Sequence, residues 1–296
     1  MNSPAISVVI PAKNEANSIA GVIARIRTVV QDAEIIIVDD GSTDGTAVLA
    51  TRAGARVICH PRSLGNGAAV KSGARAARGE ILVFLDADGQ HDPADIPRLL
   101  ALIAQGFDMA VGARDRASQA SWARLFGNGI YNRLASLIVG HSITDLTSGF
   151  RAVRAEKFIK FLYLLPNGFS YPTTSTMAFF RAGYPVAFAP IHAARRTGKS
   201  HIRLLRDGGR FLLIVFRIGT LYSPLKIFFP CSLLFFLCGL IYVGYTLLAQ
   251  HRFTNFGALL FVTSLLIFFM GLISEQITQL LYSRQEDLGA SRSTRV

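Results

Sequence analysis

An α/β domain built on a mostly parallel sheet, followed by an interfacial amphipathic segment and a two-helix transmembrane hairpin, is the architecture this sequence predicts. Three observations point to it. Short β-branched or apolar runs alternate with helical patterns in the first part of the chain, polar clusters fall where those runs end, and two long apolar stretches lie further on, Lys226 near the start of the first being the one Lys or Arg in either. Strand-like runs occupy 6–10, 35–38, 56–59, 81–85 and 109–111, with helical patterns between them at 18–30, 46–53, 68–77 and 93–104. This βαβα order implies parallel strands with helices on both faces, and it puts ligands beyond the carboxyl ends of the strands.

The polar clusters lie at those ends. Residues 11–15 follow the first strand, 39–45 the second and 86–91 the fourth. In the third cluster Asp86 and Asp88 are separated by one residue as the strand finishes, and residues two apart on a strand face the same side. Both carboxylates can then converge on one hard divalent ion, whose other positions are filled by phosphate oxygens and water. That pattern suggests a nucleotide-diphosphate substrate. A dinucleotide-binding fold is disfavoured, because 11–15 contains no glycine. Gly65 and Gly67 come too late for that fingerprint and suit either a close backbone approach or a plain helix start.

The chain has 296 residues, of which 51% are hydrophobic, and that excess is concentrated in 225–249 and 256–282. A helix of about 25 residues is roughly 37 Å long, enough to cross a hydrocarbon core of about 30 Å with some tilt. Only 250–255 separates the two runs, so they form a hairpin with both chain ends on one side. Between Arg195 and Lys226 there are eight Lys or Arg residues against the single acid Asp207, and the connecting loop has only Arg252. By that bias both termini are expected to be cytoplasmic, and 2–10 is too short for a secretory signal.

The net charge of +12 does not point to nucleic acid, since the basic residues concentrate beside the membrane runs. The pattern over 204–217 sets Arg206, Arg210 and Arg217 along one side of a helix, suited to lying among lipid headgroups or to packing on the α/β domain. Cys59, Cys231 and Cys238 have no ligand spacing and imply neither disulfides nor zinc. The expected organisation is a catalytic domain over 1–203, a juxtamembrane segment over 204–224, the hairpin over 225–283 and a cytoplasmic tail over 284–296.

Several motifs occur in order: VVIPAKNE from Val8, IIIVDDGSTDGT from Ile35, LGNGAAVKSGARAARGEILVFLDADGQH from Leu64, Gly112-Ala113-Arg114, TDLTSGFRAVR from Thr144 and RRTGKSH from Arg195. With them the chain, from residue 7 to about 200, resembles the inverting GT-A glycosyltransferases, whose sheet is Rossmann-like. Within that group it resembles the dolichyl- or polyprenyl-phosphate sugar transferases, of which dolichol-phosphate mannosyltransferase is typical. The resemblance implies that Pro11, Glu15 and Asp40 hold the base and ribose of a donor nucleotide, with Lys13 and the backbone of Val38 nearby. It implies that Asp86, Ala87 and Asp88 frame the diphosphate and a Mg²⁺ or Mn²⁺ ion, that Gln90 completes the metal surroundings, and that Asp88, Arg114, Arg124 and Arg195 are catalytic, the arginines facing phosphates. An arginine fork fits a phosphate and keeps its charge at any working pH. Two positions depart from the pattern. His201 stands where the family commonly has a lysine facing the diphosphate, and Gly129 stands where some relatives carry a second basic residue for the acceptor.

Transfer to a hydroxyl needs a general base, and between Asp145 and Asp207 the only acid is Glu156, in a pattern that reads as an exposed helix. A lipid phosphate needs none, because its second pKa is about 6 and it arrives largely as the dianion. The expected partners are therefore a UDP- or GDP-sugar, an undecaprenyl or dolichyl phosphate acceptor and membrane lipids, with a homo-oligomer compatible with so small an anchor. Transfer to diacylglycerol is the alternative enzyme, and a scaffold retaining an inactive transferase fold is the non-enzymatic one. Processive synthesis is disfavoured, since Trp122, the one tryptophan, lies outside any Gln-X-X-Arg-Trp motif. In the second apolar run Glu275, with Gln276 and Gln279, is either a functional acid or the partner of a neighbouring helix.

Overall fold

The computed structural model describes residues 5–114, 139–168, 170–191 and 223–293, together with 219–220 and scattered positions from 129 to 136. The chain divides into two compact units, Met1–Ile202 and Arg203–Val296.

The first unit is a seven-stranded sheet. Strands β1 (Ile6–Ala12), β2 (Glu34–Asp39), β3 (Arg56–Cys59), β4 (Ile81–Phe84), β5 (Met109–Arg114), β6 (Arg151–Arg154) and β7 (Val186–Ile191) lie in the order β3-β2-β1-β4-β6-β5-β7. β6 runs antiparallel to β4 and β5, and the described pairings elsewhere in the sheet are parallel. The chain leaves β1 toward β2 and β3, then returns to place β4 on the other side of β1. This reversal opens a crevice at the carboxyl ends of β1, β2 and β4.

Burial on both faces explains why the strands read as unbroken apolar runs. Val8, Ile10, Ile35 and Ile37 share one core with Ile19, Val22, Ile23 and Ile26 of α1 (Ile19–Val29) and with Ile96, Leu99 and Ile103 of α4 (Ile96–Ala104). Between these helices come α2 (Thr46–Arg52) and α3 (Asn66–Ala76). On the opposite face Gly73 of α3 lies directly against Val9 of β1 and Val38 of β2, where a side chain on the helix would collide with both. Two short helices, α5 (Ala155–Ile159) and α6 (Tyr171–Arg181), flank the route from β6 to β7.

The second unit is a helical hairpin of α7 (Pro224–Gln250) and α8 (Asn255–Ser293). Pro224–Gln250 and Asn255–Leu280 have mean hydropathies of 2.2 and 2.5, and each is long enough to cross a membrane. Their large apolar side chains point outward, as at Ile241 and Leu248, which are 73% and 83% exposed. Core helices of a soluble domain bury such residues; lipid-facing helices do not need to. The helices meet through small residues: Gly239 packs against Leu260 and Phe261, and Gly271 against Phe228. Ser264 donates a 2.9 Å hydrogen bond to the Ser232 carbonyl. At the tight end His251 adopts a left-handed conformation and its N–H returns to the Leu247 carbonyl. At the open end Glu275 accepts a 3.3 Å bond from the Leu225 N–H, one of the amides a helix N-terminus leaves without an internal partner. The tail expected from 284 onward is helical as far as Ser293.

Gly73→Ala is expected to destabilise the first unit by about 1–3 kcal/mol through overpacking against Val9 and Val38, measured by denaturant unfolding followed by circular dichroism; an unchanged midpoint would contradict this packing.

Candidate active site

The loops after β1 and β2 are laced together. Asn14, with a φ of 56°, donates its N–H to Ser42 Oγ at 2.9 Å, and its Oδ1 accepts the Thr43 N–H at 2.9 Å. Glu15 N–H reaches Thr46 Oγ1 at 2.9 Å and Ala16 N–H reaches Asp44 Oδ2 at 3.2 Å. Pro11 and Val38 are buried beneath these loops, Lys13 is exposed, and the Glu15 carboxylate accepts from Ser18 Oγ at 2.9 Å.

Asp40 is the anchor of the next segment. Its Oδ1 faces His60 Nδ1 and the Leu64 N–H, both at 2.8 Å, while Oδ2 accepts from Ser63 Oγ at 2.7 Å and the Gly65 N–H at 2.9 Å. Burial alone would raise its pKa, but the bonds from His60, Leu64, Ser63 and Gly65 outweigh it and hold the carboxyl at about 2. Gly41, with a φ of +71°, has no room for a side chain against the backbone of Arg62 and Ser63. The glycines at 65 and 67 serve close backbone approach, and what approaches is the chain itself: both lie on 166–168, with Gly67 N–H bonded to the Gly168 carbonyl at 3.2 Å. Lys71 fastens the same segment through the Leu165 carbonyl at 3.0 Å and Asn167 Oδ1 at 2.5 Å.

Asp86, Ala87 and Asp88 follow β4. Asp88 Oδ1 accepts the Gln90 N–H at 3.0 Å, the bond of a tight Asx turn, and Ala87 is buried. Asp86 lies against the bare backbone of Gly149, where an added methyl would sit 3.2 and 3.4 Å from its two oxygens and 3.3 Å from the Tyr171 hydroxyl. Burial pushes the Asp86 carboxyl up; His91 pulls it down, Asp88 pushes it further up, and Arg114 and Arg151 pull it down. Behind it Arg151 is fully buried, donating to the Pro172 carbonyl at 2.9 Å, Ser175 Oγ at 2.7 Å, Thr176 Oγ1 at 3.1 Å and the Ser148 carbonyl. At the end of β5, Arg114 closes a fork on Asp145, with Nε to Oδ2 at 2.8 Å and Nη2 to Oδ1 at 3.0 Å, and Nη2 also reaches Thr147 Oγ1 at 2.6 Å. Burial would raise the Asp145 carboxyl, but the bonds and charge of Arg114 keep it low.

The structure thus gathers Pro11, Lys13, Glu15, Val38, Asp40, Asp86, Ala87, Asp88, Gln90 and Arg114 at the ends of four parallel strands, on one rim. Arg124, Arg195, His201 and the 204–217 segment lie outside the described residues. The sequence reading assigned no roles to His60, His91, Asp145, Gly149, Arg151 or Tyr171; three of these six lie within the TDLTSGFRAVR motif and His91 closes the motif that begins at Leu64, which was the available signal.

No group of three or more His, Cys, Asp or Glu side chains gathers to hold a metal ion among the described residues. The donor set at the rim is two carboxylates, and Asp88 repels Asp86 where burial already disfavours charge. An all-oxygen pair with that repulsion to relieve fits a hard divalent cation that takes its remaining ligands from phosphate and water.

A crevice at the switch point of a GT-A sheet, edged by an Asp-X-Asp pair, defines a glycosyltransferase. Residues 7–162 match the model of glycosyl transferase family 2, and 223–280 match the GtrB C-terminal hairpin. The chain belongs to glycosyl transferase family 2. It is 30% identical over 291 residues to glycosyltransferase AglJ of Haloferax volcanii, covering 93% of this chain and 94% of the relative. It is 28% identical to undecaprenyl-phosphate 4-deoxy-4-formamido-L-arabinose transferase of Aeromonas hydrophila, over 92% of this chain and 88% of that one. It is also 30% identical to polyprenol monophosphomannose synthase of Mycolicibacterium smegmatis, over 64% and 77%. Among solved structures, glucosyl-3-phosphoglycerate synthase of Mycobacterium tuberculosis, in complex with Mn²⁺, UDP-glucose and phosphoglyceric acid, shares the fold with a TM-score of 0.60 at 23% identity, over 73% of this chain and 80% of that one.

With its pKa lowered from 3.8 to about 2, ionised Asp40 stabilises the fold in full above about pH 4, and that contribution is lost as the pH falls through about 2. Asp40→Asn is expected to lose this acid limb and to cost about 1–3 kcal/mol at neutral pH by leaving buried donors unpaired. Urea titrations between pH 2 and pH 7 measure both effects.

Proposed function

We propose that this enzyme transfers one sugar, with inversion, from a UDP- or GDP-sugar to polyprenyl phosphate at the cytoplasmic membrane face, giving a polyprenyl-phosphate monosaccharide. The observation that carries the reading is the state of the two acids that the second half of the catalytic domain offers among the described residues. Asp145 is committed to Arg114 and to the N–H groups of Thr147 and Ser148, and Glu156 is exposed in the first turn of α5, beside the start of β4 and away from the rim. Neither is placed to take a proton from an attacking hydroxyl. An acceptor phosphate carries its own nucleophilic oxygen, so it needs no such base.

The donor's base and ribose would lie over Pro11, Lys13, Glu15 and Val38. Asp40, whose two oxygens already accept four hydrogen bonds, would serve that pocket through the 60–65 segment it holds. Mg²⁺ or Mn²⁺ would be held by Asp86 and Asp88 with Gln90 beside them; when bound it supplies positive charge to the leaving diphosphate. Arg114 presents an edge of its guanidinium beside that site with its fork fixed by Asp145, so it can meet a phosphate without first being ordered. Arg124 and Arg195 would add charge for the acceptor phosphate, and His201 for the diphosphate. The hairpin keeps the protein where an isoprenoid chain must also lie. Two kinds of support converge here: two of the relatives are named as an undecaprenyl-phosphate 4-deoxy-4-formamido-L-arabinose transferase and a polyprenol monophosphomannose synthase, and the hairpin region matches along with the catalytic domain.

Purified full-length protein with Mn²⁺ or Mg²⁺, offered labelled UDP- and GDP-sugars against undecaprenyl phosphate, dolichyl phosphate and diacylglycerol, is expected to form an organic-soluble product with a polyprenyl phosphate only. Asp88→Ala should lower the rate at least about 100-fold. Because the acceptor's second pKa is about 6, the rate should climb through that pH and then level. Product with diacylglycerol alone would overturn the proposal.

A further inference from the structure

We propose that His91 and Gly149 together aim the Asp86 carboxylate at the divalent cation, acting as positioning residues for a metal they do not touch; this rests on the metal reading above. The first observation is an unpartnered atom. His91 is only 5% exposed, and its Nδ1 has no hydrogen-bond partner. The nearest acid oxygen is Asp86 Oδ2, at 3.8 Å, too long for a hydrogen bond and short enough that a small turn of the carboxylate would make one. The imidazole has little freedom to look elsewhere. It stacks on Phe150, with ring centroids 5.3 Å apart and planes at 27°, and Phe150 is itself fully buried.

The second observation is independent of the first. Both oxygens of Asp86 lie over Gly149, so that a methyl there would be within 3.4 Å of each. The missing side chain lets the carboxylate lie on the backbone of 149 while its edge faces His91. Two neighbouring residues therefore act on one acid: Gly149 sets the depth of the carboxylate, and Phe150 holds the ring that sets its rotation. Phe150 is fixed in turn by Gly112 of β5, whose N–H bonds to its carbonyl at 2.9 Å. A Nδ1–H donated to Oδ2 would leave Oδ1 turned toward the cation, the kind of outer support that directs a liganding carboxylate.

The test is Mn²⁺ binding to the purified full chain in detergent, without nucleotide, with free Mn²⁺ followed by electron paramagnetic resonance and folding checked by metal-free melting. Asp88→Ala serves as the reference for loss of the site. His91→Leu is expected to weaken Mn²⁺ binding about 10- to 100-fold, and His91→Asn, which restores an N–H donor, to return it to within about threefold of the parent. Gly149→Ala should weaken binding by a similar factor, and it carries the test should His91→Leu fail to fold. Parental Mn²⁺ affinity in folded His91→Leu and Gly149→Ala, alongside its loss in Asp88→Ala, would overturn this inference alone. Parental affinity in Asp88→Ala would overturn the metal reading with it.

Discussion

The crevice depends on one carboxylate that is placed to do no chemistry itself. Asp40 closes the end of β2 by binding His60, Ser63, Leu64 and Gly65, and this turns the segment after β3 back over the sheet. From there the wall continues by contact. Gly65 and Gly67 lie on 166–168, which leads into α6; the Tyr171 hydroxyl of α6 donates to the Gly149 carbonyl at 3.3 Å, and Gly149 supports Asp86. The loops at the ends of β2 and β4 are thus joined around the crevice by a run of contacts. Because each link is a short polar bond or a glycine-permitted backbone approach, the wall has little give, and preorganisation of this kind is what electrostatic catalysis requires.

Arg151 shows how the same region tolerates charge. A fully buried guanidinium is costly unless its donors are satisfied. Here four acceptors from the 148–176 region meet Nη1 and Nη2, Nε is left without a hydrogen bond, and Asp86 and Asp145 supply negative charge from a distance. Its bond to the Ser148 carbonyl fixes the loop whose Asp145 holds Arg114. Two cations, Arg114 at the rim and Arg151 sealed behind it, are therefore both held by the stretch 145–148, Arg151 with further bonds to α6.

The strands β1 to β5 were legible because each is a short apolar run, and the rim was legible because polar clusters follow the first, second and fourth of them. β6 and β7 were not. Arg151-Ala-Val-Arg is half cationic, and Val186–Ile191 contains Pro190, so neither gives the signature of a sheet interior, although Arg151 sits in the middle of one. The contacts that tune the site were hidden for a different reason. Gly149 matters through what lies over it, and His91 through an atom it does not bond, and both are tertiary facts that no local pattern encodes. For the glycines at 65 and 67 the sequence left two readings open; only the fold shows that the close neighbour is the chain's own 166–168.

Glu275 resolves in a similar way. Sequence alone left it between a functional intramembrane acid and a structural partner, and its bond to the Leu225 N–H favours the second. The position matters as much as the bond. From Asn255 to Glu275 the helix rises roughly 30 Å, the thickness of a bilayer's hydrocarbon core, so the carboxylate falls at the boundary rather than the centre, level with the start of α7. There the free amides and positive dipole end of α7 meet a negative charge without the cost of full burial in hydrocarbon. The acid therefore lies in the last turns of the apolar run that ends at Leu280, and the part of α8 from 283 toward Ser293 is polar in sequence.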